Sequence, residues 1–224
     1  MVPTQRQIDD ALRYLKIPRE KGGNFTTEVL QAFSEVHRIA RPGKIWARFA
    51  LEVQNGCIYI GDGSISCRSV SLAQLFRNCR ACIVMAVTLG PDVDRRTRTL
   101  ERSDMTRGLI FDACASVLAD SLCDEAESEA RLSLAGGEFL TMRFSPGYGD
   151  VPLSFSADIL KMLDAGRRIG VTLTERGMMI PVKSVTALAG ISDRPERHPS
   201  GCDACGSLNC PYRRRGSECH DKKI

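Results

Sequence analysis

Apolar residues recur at helical spacing from the first turn of the chain. Ile8, Ala11, Leu12 and Leu15 share one face behind Thr4, which predicts a capped helix over 4–16, ended by Pro18 and Gly22-Gly23. A second helix starts at Thr26-Thr27, carries Val29, Leu30, Phe33, Val36 and Ile39 on one side, and closes at Pro42-Gly43. Alternation then replaces the helical period. Lys44–Val53 reads as a strand, and Asn55-Gly56 turns it into Ile58–Ile60. Ser69–Arg77 predicts a short helix, Cys79–Leu89 a buried strand, and Pro91–Leu100 a helix. The longest helix spans Asp104–Leu134, with Leu109, Ala113, Val117, Ser121 and Leu122 nearly in register, and Gly136-Gly137 ends it. Glu138–Phe144 predicts a strand. A helix over Ser156–Ile169 follows, capped by Ser154 or Ser156, with Ile159, Leu160 and Leu163 inward. Val171–Thr174 and Ser184–Ile191 complete the strands. Helices and strands alternate without a βαβ rhythm, so the pattern favours an α+β fold with a largely antiparallel sheet.

After Ile191 the pattern stops, and Asp, Arg, Pro, His, Ser and Gly take over. We read residues 1–191 as one domain and 192–224 as a linker and cysteine-rich tail. Composition is that of an ordinary soluble chain, 43% hydrophobic and 26% charged. The longest apolar run, around Cys82–Val87, is too short to span a bilayer, and residues 1–6 lack the apolar core of a signal peptide; a cytoplasmic protein with no membrane partner is expected. Net charge is +4, and residues 194–224 hold seven Lys/Arg against four Asp/Glu. The body is therefore near neutral and offers no basic face to nucleic acid, although Arg213-Arg-Arg215 in the tail can touch phosphate.

Ten cysteines in a cytosolic chain argue for thiols or metal ligands rather than disulfides. Cys202, Cys205, Cys210 and Cys219 crowd the tail as C-x2-C, a third cysteine after four residues and a fourth after eight more. Four thiolates so placed suit zinc or an iron–sulfur cluster, and spacing does not separate the two. The body cysteines read as small core residues. Cys79 and Cys82 also spell C-x2-C, but an odd separation on a strand sends them to opposite faces. Cys114 and Cys123, nine apart on a helix, point apart as well. His37 reads as a packing or surface residue. The carboxylate pairs Asp9-Asp10 and Asp124-Glu125 read as solvated helix faces, and no P-loop, dinucleotide or nucleophile-elbow motif occurs, so the sequence assigns no catalytic residue.

The run Arg143-Phe-Ser-Pro-Gly-Tyr148-Gly-Asp-Val-Pro152 carries the most chemistry. Arginine presents a rigid fork that matches a carboxylate at two points. Proline fixes its own φ, and glycine lets a ligand approach the backbone. Such a turn between an arginine and a phenol can hold a small zwitterion bearing a carboxylate and an aromatic ring, S-adenosylmethionine among them. By spacing alone it reads first as a plain connection between elements.

Taken in order, Arg143–Tyr148, the helix at Ser156–Ile169, Gly170–Glu175, Met179-Ile-Pro181 and Lys183-Ser-Val185 resemble the reactivation domain of cobalamin-dependent methionine synthase, most densely over 109–191. The resemblance implies a twisted antiparallel sheet wrapped by helices. It also implies S-adenosylmethionine binding through Arg143, Ser145 and Tyr148, with the backbone of Ser145, Pro146 and Gly147 along the ligand. The family usually carries alanine at position 145, which suits a backbone role. Asp120 falls where the family has a ligand-facing glutamate; without the resemblance it reads as a solvated acid. The implied function is reductive methylation of cob(II)alamin on a separate cobalamin-dependent methionine synthase or other corrinoid protein, with an electron donor. Two other readings stay open: an iron–sulfur-dependent activator of another corrinoid methyltransferase, and a non-catalytic S-adenosylmethionine-binding scaffold. The chain departs from the family at Gly149-Asp-Val-Pro152, where Pro-x-x-Pro is common, and in its cysteine tail.

Overall fold

The structure is a computed structural model that describes residues 2–17 and 19–195. Its elements run α1 Gln5–Tyr14, α2 Arg19–Gly22, α3 Thr26–Ile39, β1 Gly43–Gln54, β2 Cys57–Ile60, β3 Ile65–Arg68, α4 Val70–Leu75, β4 Cys79–Thr88, α5 Pro91–Ser103 and α6 Met105–Leu132, then β5 Phe139–Leu140, α7 Phe155–Met162, α8 Ala165–Ile169, β6 Thr172–Leu173, β7 Met179–Ile180 and β8 Ser184–Ser192. The α+β class read from the sequence is the one observed. None of the described helices is long and apolar enough to cross a membrane. The described chain divides into two compact units, one from residues 2–40 and 92–118, the other from 41–91 and 119–195.

The first unit is helical. Thr4 and Gln7 form a reciprocal capping box that satisfies two amides at the start of α1. Val29, Ala32, Phe33 and Val36 bury one face of α3 at i, i+3, i+4 and i+7. Glu35 on α3 accepts from Arg96 Nε at 2.6 Å and from Arg107 Nη2 at 2.9 Å, tying α3 to α5 and to the start of α6. Gly108 is small by necessity, since a Cβ there would stand 2.9 Å from the Glu101 amide nitrogen. Asp10 corrects the solvated-acid reading: its side chain is only 12% exposed and pairs with Arg13 at 3.1 Å. Leu109 corrects the predicted helix register, for it faces outward at 52% exposure.

The second unit is built on an antiparallel sheet of order β3-β2-β1-β4-β8-β5. Asn55 and Gly56, both at positive φ, make the two-residue turn that feeds β1 into β2. β4 and β8 lie at the centre and read as nearly continuous apolar runs because they are buried on both faces. Phe76, Cys82, Val84, Ala86 and Leu188 pack with Phe155, Ile159, Leu160 and Ala165 in one core. Gly190 belongs to that packing, since a Cβ on it would stand 2.6 Å from Cys79 Sγ and 2.7 Å from Phe76 Cδ1.

Three local expectations are corrected. The strand foreseen over 138–144 shrinks to β5 plus a single bridge from Phe144 to Leu188. Thr141 spends both its amide and its hydroxyl on Gly190, and the chain then leaves the ladder before Arg143. The helix foreseen over 156–169 breaks into α7 and α8 at Asp164, which takes a left-handed φ of 51°. Neither serine caps it: Ser154 makes no side-chain cap bond, and Ser156 is buried, accepting from Thr186 Oγ1 at 3.1 Å. Cys79 and Cys82 do not face apart. The register shifts between Cys79 and Ala81, a bulge that resets the alternation, and both thiols enter the same core.

Candidate functional site

Arg143 lies between two anchors of the backbone. Thr141 donates its amide to Gly190 O at 2.9 Å, and Phe144 exchanges both backbone bonds with Leu188 at 2.8 and 2.9 Å. The side chain, 21% exposed, turns toward α6. There its Nη1 donates to Asp124 Oδ1 at 2.9 Å and to Glu127 Oε2 at 3.2 Å. The sequence places Asp124 on a solvated helix face. The structure corrects this: it is exposed, yet paired to Arg143 from nineteen residues away. Nε and Nη2 of Arg143 make no hydrogen bond to the described residues.

Asp120, Asp124 and Glu127 recur at i, i+4 and i+7 of α6 and form one stripe. The Cys123 thiol beside them is pushed up to about 12, first by burial; Arg143 pulls it down, and Asp120, Asp124 and Glu127 push it further up. Asp120, foreseen with Arg143 as ligand-facing, stands one turn before Asp124 on the same helix, and it is the Asp124 carboxylate that Arg143 bonds.

The turn that follows is built from its own backbone. Gly147 donates to Val151 O at 2.9 Å, Val151 to Tyr148 O at 3.1 Å, and Tyr148 to Ser145 O at 3.4 Å. Pro146 is buried, Ser145 half-buried, and Tyr148 stands 70% exposed. Gly147 and Gly149 both hold positive φ, a region L side chains seldom take. A Cβ on Gly149 would also press on Ser71 Oγ at 3.3 Å and Phe144 Cζ at 3.4 Å. The placement suits a phenol offered to a flat ligand and gives Pro146 the work of packing.

Asp150 was not singled out from the sequence. Its Oδ1 accepts from Ser69 Oγ at 2.6 Å and its Oδ2 from the Val70 amide at 2.6 Å, with the Ser71 amide at 3.3 Å from the first oxygen and 3.4 Å from the second. These donors lie some eighty residues away, so no local spacing could reveal them. The Ser69 hydroxyl bond leads in holding the carboxyl down to about 2. Because the folded value lies below the ordinary 3.8, the stability this group contributes is present above about pH 4 and is lost as pH falls toward 2. Thermal melts of the wild type should therefore drop more steeply over that window than melts of Asp150→Asn; parallel curves would refute the assignment.

The adjoining face of the same α6 segment carries a second charge cluster that shares Asp124. Lys44 Nζ reaches Glu125 at 3.1 Å and Glu129 at 2.7 Å, and Trp46 Nε1 donates to Glu129 at 3.4 Å. An open recess of about 470 Å³ is lined by Lys44, Ser121, Asp124, Glu125, Ser128 and Glu129. No group of three or more metal-ligating side chains occurs among the described residues. Cys202, Cys205, Cys210 and Cys219 lie outside them.

Comparison with known proteins bears on this arrangement. No curated protein matches the chain. A crystal structure of the MetH reactivation domain bound to AdoHcy shares the fold, with a TM-score of 0.56 at 16% identity over 80% of this chain and 68% of that one. The family model described as "Vitamin B12 dependent methionine synthase, activation domain" matches residues 81–198, a span that takes in most of β4, and α6, the Arg143 turn and β8. That match covers more than half of the 224 residues, and the chain belongs to the vitamin B12 dependent methionine synthase activation domain family.

Proposed function

We propose that the chain binds S-adenosylmethionine beside Arg143 and supports reductive methylation of cob(II)alamin held by a separate cobalamin-dependent methionine synthase or another corrinoid protein. The observation that carries this reading is the state of Arg143. Two acids fix its Nη1, while its Nε–Nη2 edge is left for a carboxylate. The donor set fits the ligand. S-adenosylmethionine joins a carboxylate to an ammonium and a sulfonium, and here one guanidinium pairs with Asp124 and Glu127 on a helix face that also carries Asp120. The related reactivation domain was crystallised with AdoHcy, the demethylated form of that donor.

When bound, S-adenosylmethionine would supply the methyl group that draws an unfavourable one-electron reduction of the corrinoid forward. The chain's own residues do simpler work. Arg143 orients the carboxylate, Asp124 and Glu127 hold the guanidinium still, and Tyr148 offers a flat face. The backbone of Ser145, Pro146 and Gly147 lies alongside. Asp120 favours the cationic end. Calorimetric titration of S-adenosylmethionine, followed by an assay with a cob(II)alamin protein and a chemical reductant, tests the whole reading. Binding without methylation of the corrinoid would leave only the scaffold reading standing.

The charge-based part has its own check. Asp120→Asn should weaken S-adenosylmethionine more at low salt than at high salt, because Asp120 is only half-buried and its attraction for a cation is still screened by salt. Equal affinities at every ionic strength would return Asp120 to a solvated helix acid.

The tail favours a second, compatible element. Four cysteines within eighteen residues, Cys202, Cys205, Cys210 and Cys219, supply the ligands of one zinc or iron–sulfur centre. A cluster there would let an electron arrive through the same polypeptide. Protein purified without oxygen or chelator should carry one metal centre, and a Cys202→Ser/Cys205→Ser variant should lose it. Colour and sulfide analysis separate a cluster from zinc, and a wild type free of metal overturns the assignment.

A further inference from the structure

The turn that carries Tyr148 is held from two sides, and only one of them is local. On the local side Pro146 and Val151 are buried, and the Gly147–Val151 and Val151–Tyr148 bonds close the loop on itself. On the other side stands Asp150. Its carboxylate gathers Ser69 Oγ, the Val70 amide and the Ser71 amide, while Ser69 Oγ also accepts from the Leu72 amide at 3.0 Å. The first amides of α4 are thereby satisfied by a residue from the turn rather than by water. Gly149, next to it, is pressed against Ser71 and Phe144.

We infer that Asp150 is a positioning residue: a carboxylate clamp that fixes the Ser145–Gly149 turn against the start of α4 and so sets where Tyr148 stands relative to Arg143. The inference rests on the reading of this turn as the S-adenosylmethionine site. It accounts for the Gly149-Asp150 pair. Glycine makes the backbone pliable there, and the bonds of Asp150 restore the rigidity that a binding constellation requires. The carboxylate stays ionised at every ordinary pH, since its pKa lies near 2. The clamp is therefore a fixed part of the site.

Two variants open the clamp from opposite ends. Asp150→Asn replaces an acceptor oxygen with a donor facing amides that need an acceptor. Val70→Pro deletes the amide that bonds Oδ2 at 2.6 Å; proline is tolerated at the first helical position, and Ser69 already holds the extended backbone that precedes a proline. In both, backbone hydrogen exchange should quicken at Gly147 and Val151, while amides in the middle of β4 exchange as in the wild type. Affinity for S-adenosylmethionine should fall about tenfold, the scale on which residues that orient a contacting group act. Unchanged exchange at Gly147 and Val151 in both variants overturns the clamp. Faster exchange with undiminished affinity overturns its role in positioning and leaves the proposed function intact. If the wild type binds no S-adenosylmethionine, the functional reading fails by itself, and exchange at Gly147 and Val151 alone then upholds or overturns the clamp.

Discussion

Arg143→Ala is expected to cost about 2–5 kcal/mol of S-adenosylmethionine binding, much of it from the ligand carboxylate left without its partner. Arg143→Lys should lose most of the same amount. An ammonium can meet Asp124 or Glu127 but cannot hold those acids with one nitrogen while presenting a parallel pair of N–H groups to a carboxylate. Folding stability should change far less, because Asp124 is more than half exposed and water can replace the arginine there. Calorimetry on both variants decides the matter, and wild-type affinity in both would remove Arg143 from the site.

Phe76→Ala is expected to destabilise the second unit by about 3–5 kcal/mol, the range for emptying an aromatic site in a packed core. Phe76 is fully buried among strands β4 and β8, beneath Gly190. The void would open under the residue that holds Thr141 in place, two positions before Arg143. Urea unfolding should show a lower midpoint with an unchanged slope. Ligand affinity should fall along with it, since Thr141 loses its fixed partner. A loss under about 1 kcal/mol would mean that the core closes over the gap.

The elements with a strong period were legible in the sequence. α1, α3, α6, β1, β4 and β8 stand within one or two residues of the predicted bounds, because each buries a repeating face or a continuous apolar run. The failures have specific causes. Asp164 adopts a left-handed conformation without being glycine, and nothing local announces it. The bulge at Cys79–Ala81 exists because β8 pairs out of step with β4 there, and periodicity read on one strand misses a shift made by its neighbour. At the site, Arg143 and Tyr148 were visible through the motif. Asp124 and Glu127 were not, because an acid on a helix looks the same whether it faces water or an arginine nineteen residues on. Asp150 was hidden for the same reason at four times that distance.

The buried thiols of the body have a practical use. Cys82, Cys114 and Cys123 have their pKa values raised to about 12 by burial, Cys67 is shifted upward for the same reason, and Cys79 is buried beside Cys82. At neutral pH such groups carry almost no thiolate and resist alkylating reagents. Of the six body cysteines only Cys57 is partly open to solvent. A maleimide count on the folded protein thus has a background of about one, and every adduct beyond it reports on Cys202, Cys205, Cys210 or Cys219. The protein carries its own silent reference against which the tail thiols can be counted, without a single cysteine having to be removed.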